Sequence, residues 1–279
     1  MTKLDLGRVG AVIDPGDADR LAGTAVALEA AGYETIWVTG GPLRSLDQLA
    51  EVVRATGAAR VASGILSVDR FPADDVAALF GELESSHPGR FVLGLGGAHG
   101  ARPLATLGAY LDRLDAAGVP ASRQILAALG PRMLDLAAER AAGAFPVLVT
   151  PEYTVDARAR IGADPTLAVE QLVALAGDAA RARELALQPL GFLATLPQYQ
   201  ASFRRQGFTD GEIGGRANRL VDALVPGGDA ARAAAAVAAQ LDVGADHVAV
   251  SVVSGRPAAE SLDEWREVAA ALGLAAPAG

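Results

Sequence analysis

Short apolar runs alternate along the whole chain with longer stretches whose apolar positions fall three and four apart. The runs at 8–13, 35–39, 60–66, 90–95, 124–129, 146–150, 169–176 and 247–253 are mostly Val, Ile, Leu and Ala, the pattern of strands covered on both faces. Between them, 17–31, 45–56, 73–86, 103–117, 131–142 and 230–241 carry helical spacing. Strand and helix in alternation predict a parallel sheet, and eight strands are the number that closes a TIM barrel. The expected fold class is therefore α/β, one TIM (β/α)8 barrel domain over residues 1–279. Pro131 fits a first helical position, and Gly32 and Gly143 read as left-handed terminators of the helices before strands two and six. Residues 177–244 are too long for an ordinary barrel connection and predict a helical insertion between strands seven and eight, folded over the barrel mouth as a lid.

Composition narrows the chemistry. A formal charge of −9 with no Lys/Arg-rich stripe argues against a nucleic-acid partner. The chain has no cysteine, which removes disulfides, thiolate metal sites and cysteine nucleophiles, and with three histidines no metal site is expected. No run approaches the roughly 20 apolar residues of a membrane span, and no charged segment followed by an apolar run marks a signal peptide. A cytoplasmic protein acting on a small molecule is expected.

A TIM barrel carries its site at the C-terminal ends of the strands. The richest such end is 90–100, Arg-Phe-Val-Leu-Gly-Leu-Gly-Gly-Ala-His-Gly, where Gly94, Gly96, Gly97 and Gly100 remove side chains from the backbone beside His99. His99 reads as an acid/base candidate or as a histidine that only hydrogen-bonds across the rim. Gly130-Pro131-Arg132-Met133 combines free N–H groups, the positive end of a helix dipole and a guanidinium, which suits either an anion or a plain helix cap. His247 opens the last strand on the face opposite the site and reads as structural, His87 as a loop residue. Glu170, placed by the pattern at the start of strand seven, reads as a satisfied core carboxylate. Trp37 reads as core or pocket wall, and Trp265 as packing.

Several segments together resemble the luciferase-like monooxygenase superfamily. They are 29–41 (Glu-Ala-Ala-Gly-Tyr-Glu-Thr-Ile-Trp-Val-Thr-Gly-Gly), 87–97 (His-Pro-Gly-Arg-Phe-Val-Leu-Gly-Leu-Gly-Gly), 61–66 (Val-Ala-Ser-Gly-Ile-Leu), 127–133 (Ala-Ala-Leu-Gly-Pro-Arg-Met) with 136–143 behind it, and 242–250 (Asp-Val-Gly-Ala-Asp-His-Val-Ala-Val). The modest length resembles the branch that uses the deazaflavin coenzyme F420, with FMN as the alternative cofactor.

The resemblance implies a cofactor site. Ser63 and Gly64, with Ile65 after them, match the place of a non-prolyl cis peptide behind the deazaflavin ring, and Gly96 and Gly97 match a wall beside it. Leu129, Gly130, Pro131 and Arg132 match the loop that holds the cofactor phosphate, Thr150 a further phosphate or ribityl contact, and His99 a catalytic side chain facing substrate. The implied activity is hydride transfer between coenzyme F420 and a small organic substrate, in a homodimer. The alternatives are an FMN-dependent two-component monooxygenase and a non-catalytic flavin- or partner-binding barrel. Two departures stand out. Gly40-Gly41-Pro42 follows strand two where relatives often carry a histidine or acid, and Ala141-Ala142-Gly143 replaces the common Ala-Asp-Gly.

Overall fold

The computed structural model describes residues 3–275. Eight parallel strands, Val9–Ile13, Thr35–Val38, Arg60–Ser63, Phe91–Gly96, Gln124–Leu126, Gly143–Ala144, Thr166–Leu175 and His247–Val253, pair in sequence order. The last returns to the first, with Val9 opposite Val248, so the sheet closes into the expected α/β barrel. Strand side chains alternate inward and outward. The inward set, including Val12, Trp37, Ala62, Val92, Ile125, Phe145, Ala168 and Ala249, forms a cluster that Leu6 joins. The outward set packs on the ring of helices. Helix Ala18–Ala30 shows how: Leu21, Thr24, Ala25 and Leu28, three and four apart, are buried.

The pattern misplaces strand six. It is Gly143–Ala144, not 146–150, and the apolar residues that follow leave the ladder. Phe145 turns into the barrel, Val147 keeps a single bridge to Glu170, and Leu148 sits at φ 54°, which ends any extended run. Gly143 is therefore a strand residue and not a helix terminator: a Cβ there would lie 1.9 Å from the Thr166 carbonyl oxygen. Gly32, at φ 97°, ends its helix as expected. Strand seven begins at Thr166, three residues earlier than its apolar run, which sets Glu170 in mid-strand.

The insertion is shorter than its sequence boundaries. Helices Ala179–Leu193, Pro197–Arg205, Asp210–Gly215 and Asn218–Leu224 build a small core of their own around Leu172, Leu185, Leu190, Phe203 and Leu220. A bidentate Arg183 to Asp222 pair ties the first of these helices to the last. Helix Ala230–Asp242 returns to the barrel ring and packs on strands seven and eight.

At the end of strand three the chain turns through a cis peptide bond between Gly64 and Ile65, one residue beyond the expected pair, before Leu66–Ser67 pairs with strand four. This bulge presses its carbonyls against two glycines. A Cβ on Gly94 would lie 1.9 Å from the Ser63 oxygen, and one on Gly40 1.8 Å from the Ile65 oxygen. Gly96 and Gly97 are filled likewise by Ala127, Ile65 and Ser67, whereas nothing lies near Gly100. Gly94→Ala is thus expected to destabilise the protein by about 3 kcal/mol or to prevent folding, because backbone must move to admit one methyl group. Gly100→Ala should melt like the parent; thermal denaturation of the two variants checks the contrast.

The barrel is closed below by an aromatic layer. Trp37 stacks on Phe145 with ring centroids 4.1 Å apart, and its Nε1–H donates to His247 Nε2 at 3.0 Å. His247 Nδ1 bonds the Gly7 carbonyl at 2.9 Å, so the neutral Nδ1–H tautomer satisfies both partners. A second ring proton would face the indole N–H. Burial holds the imidazole down at about 4, against an ordinary 6.5. Between those values the native state binds fewer protons than the unfolded chain, so stability is lost as pH falls from 6.5 towards 4, by up to about 3 kcal/mol. His247→Gln should lose less stability over this interval than the parent, as urea unfolding at pH 7, 5.5 and 4.5 would read.

Candidate functional site

A cavity of about 890 Å³ opens at the C-terminal ends of the strands. Its floor and walls include Val12, Gly64, Ile65, Ala127, Phe145 and Leu172, and the insertion roofs it with Pro189, Leu193 and Tyr199. The lining is mainly apolar, and the bulge of strand three supplies one wall, as the resemblance implied for Gly64 and Ile65. Ser63 does not reach the cavity: it is fully buried, and its hydroxyl exchanges two 2.9 Å hydrogen bonds with the Gly94 backbone. Gly96 and Gly97 are likewise spent on packing against the bulge and are not among the cavity's lining residues.

His99 lies on the rim outside the cavity. Its side chain is 64 % exposed, its Nδ1 is 3.1 Å from an Asp69 carboxylate oxygen, and its backbone N–H donates to the same oxygen at 2.8 Å. Those bonds hold the Asp69 carboxyl below its ordinary range. The imidazole thus has a hydrogen-bonding partner on the rim and is not among the residues that line the cavity.

The loop at Gly130 presents unpaired backbone donors beside two guanidinium groups. Helix Pro131–Arg140 starts there, and the N–H groups of Gly130 and Arg132 meet no acceptor among the described residues. Arg132 is exposed. A second guanidinium comes from the insertion: Arg205 donates to the Leu129 carbonyl at 3.0 Å and lies beside Gly130. The Tyr153 hydroxyl holds the Ala128 and Leu129 carbonyls from the other side. Thr150 is less free than the resemblance implies, since its hydroxyl caps helix Pro151–Ile161 and its N–H donates to Gln206 of the insertion at 2.9 Å. Neither Arg205 nor Gln206 could be assigned from sequence, because nothing local to 204–207 marks where the insertion folds back.

Two polar side chains inside the cavity were also missed. Glu170 faces the cavity from mid-strand, and burial without a charged partner pushes its carboxyl up to about 7. Tyr199 stands over the same space from the insertion, its phenol raised by burial and by the Glu170 charge. The empty position after strand two is explained by packing: Gly40 must clear the Ile65 carbonyl, and Arg70 ties down the Gly41 carbonyl at 2.7 Å and that of Leu43. Arg256, at the far side of the cavity, is paired with Glu264 at 2.6 Å and Asp263 at 3.3 Å.

A flavin or deazaflavin ring and its phosphate tail fit these residues. The apolar cavity over Gly64 and Ile65 suits a flat ring system. From Ala127 on its wall to Gly130 is three residues, so the two lie at most about 10 Å apart along the chain, and the unpaired N–H groups with Arg132 and Arg205 suit a phosphate. Among the described residues no helix is long and apolar enough to cross a membrane.

No protein-family model matches the chain, and no curated protein matches it significantly. Solved structures do. An F420-dependent secondary alcohol dehydrogenase in complex with an F420-acetone adduct superposes with a TM-score of 0.69 at 16 % identity, over 98 % of this chain and 99 % of that one. The coenzyme F420-dependent tetrahydromethanopterin reductase from Methanopyrus kandleri gives 0.66 at 15 %, over 94 % and 99 %. The oxygenating constituent of 3,6-diketocamphane monooxygenase from Pseudomonas putida, in complex with FMN, gives 0.64 at 13 %, over 95 % and 97 %. At these identities the likeness is one of fold, and the fold is the barrel that F420-dependent oxidoreductases and luciferase-like monooxygenases share.

Proposed function

We propose that the protein is a deazaflavin-dependent oxidoreductase that binds coenzyme F420 and moves a hydride to or from a small organic substrate. The observation that carries this reading is the mouth cavity bounded by the Gly64 and Ile65 bulge, with the Gly130 loop three residues along the chain from Ala127 on its wall. The whole-length likeness in fold to F420-dependent enzymes supports it. When bound, the deazaflavin would supply a two-electron hydride carrier. The chain's part is to seat the ring against Ile65 and Ala127, anchor the phosphate with Arg132 and Arg205, and keep water out beneath the insertion.

FMN is the alternative cofactor, since an FMN-bound barrel superposes nearly as well. Quenching of intrinsic fluorescence by each oxidised cofactor separates the two: tighter binding of F420 is expected, and tighter binding of FMN would move the assignment to a monooxygenase fed by a separate reductase. Arg132→Ala and Arg205→Ala are each expected to weaken the preferred cofactor roughly tenfold, the loss of one charge-assisted phosphate contact at about 1.5 kcal/mol. An unchanged dissociation constant in both would remove the phosphate from this loop. With its imidazole on the rim, His99→Ala is expected to retain turnover, and a steady-state assay in which turnover collapses would return the proton-transfer role to His99.

A further inference from the structure

The inner face of the barrel holds one feature that neither folding nor cofactor binding requires. Glu170 lies on strand seven opposite Ala249, in the layer above Ala168 and His247, and is a lone carboxyl among Phe145, Val147 and Leu172. The side chain is half-buried with its carboxyl opening on the cavity, and no protein group hydrogen-bonds it or pairs its charge, so burial is the one cause that raises it. Tyr199 is in a similar position, since its phenol gains no hydrogen bond and instead feels the Glu170 charge. Two elements that meet only because the insertion folds over the barrel thus present a carboxyl and a phenol to one apolar space.

We propose that Glu170 and Tyr199 together receive the oxygen of an uncharged carbonyl or alcohol substrate, with Glu170 exchanging its proton. This assignment rests on the cofactor reading above for the hydride and on the cavity alone for the oxygen site. In the reducing direction the carbonyl carbon would take a hydride, the equivalent that a bound reduced deazaflavin would supply. The C=O bond becomes C–O–H with the proton of the Glu170 carboxyl, and the carboxylate left behind regains a proton from water. In the oxidising direction the same carboxylate takes the alcohol proton as the hydride leaves. Tyr199 donates a hydrogen bond to the substrate oxygen in both. A neutral carboxylic acid beside a phenol is a competent donor pair for an oxygen that gains negative charge.

The surrounding charges favour an uncharged substrate. Asp14 and Asp17 line the mouth, and Arg256 is neutralised by Glu264 and Asp263, so among the described residues the cavity offers an anionic substrate no unpaired cation. The other titratable group of the barrel interior, His247, is neutral and committed to Trp37 and Gly7 below. The segment after strand six brings Phe145 and Val147 to the cavity and strand eight brings Ser251, none of which carries a charge.

Three measurements test the assignment. In cofactor-free protein at pH 6, the infrared spectrum should show a protonated carboxylic acid band that is absent from Glu170→Gln and shifts when cyclohexanone is added. Cyclohexanone should bind the same protein better than 4-oxocyclohexanecarboxylate, and Tyr199→Phe should weaken it several-fold. With the bound cofactor, Glu170→Gln should lower kcat for cyclohexanone reduction at least about 100-fold with KM little changed, and parental kcat should fall as pH rises past about 7, where the acid is lost. A fully active Glu170→Gln variant, a missing acid band, or preference for the charged ketone would each overturn the proposal. Ketone binding that depends on Glu170 and Tyr199 in a protein that binds neither F420 nor FMN would uphold the oxygen site while removing the deazaflavin reading.

Discussion

The site depends on a backbone contact with no side chain to spare. Where strand three turns at Gly64, the Ser63 carbonyl occupies the space of a Cβ on Gly94, and the Ile65 carbonyl occupies that of a Cβ on Gly40. The turn gives the cavity a wall of Gly64 and Ile65 and obliges the neighbouring strand ends to be glycine. It also removes any side chain from Gly40, immediately after strand two. A side chain at position 40 and this bulge in this register exclude one another.

The aromatic layer beneath determines what the Glu170 carboxyl experiences. Trp37 stacked on Phe145, with the His247 ring bonded on both nitrogens, closes the barrel below Glu170. With apolar neighbours at the sides as well, partial burial raises the carboxyl to about 7, so its acid form persists up to neutral pH. A layer that stabilises the fold therefore also sets the chemistry of the group above it, at the expense of stability in acid.

Much of the barrel was legible because its strands are apolar on both faces and its helices keep their period. Strand six was not, since only Gly143 and Ala144 pair while the stronger apolar run just after them leaves the ladder at Leu148. The same error of register hid Glu170. Counting strand seven from Val169 puts the glutamate at the stability end, whereas starting at Thr166 puts it on the inner face below the mouth. The glycines near His99 were legible as a close approach, but the approaching atoms belong to the chain itself. Arg205, Gln206 and Tyr199 were illegible in principle, because their placement follows from the packing of Phe203 into the insertion's own core.

That packing joins the two ends of the site. Tyr199 over the cavity and Arg205 at the Gly130 loop are six residues apart on helix Pro197–Arg205, about 9 Å of rise. Gln206, next along, bonds the Leu148 carbonyl and the Thr150 N–H and so clamps the helix to the loop between strand six and helix Pro151–Ile161. One helix thus carries both the guanidinium at the proposed phosphate loop and the phenol over the proposed substrate space, so the two ends of the proposed site are held by a single element.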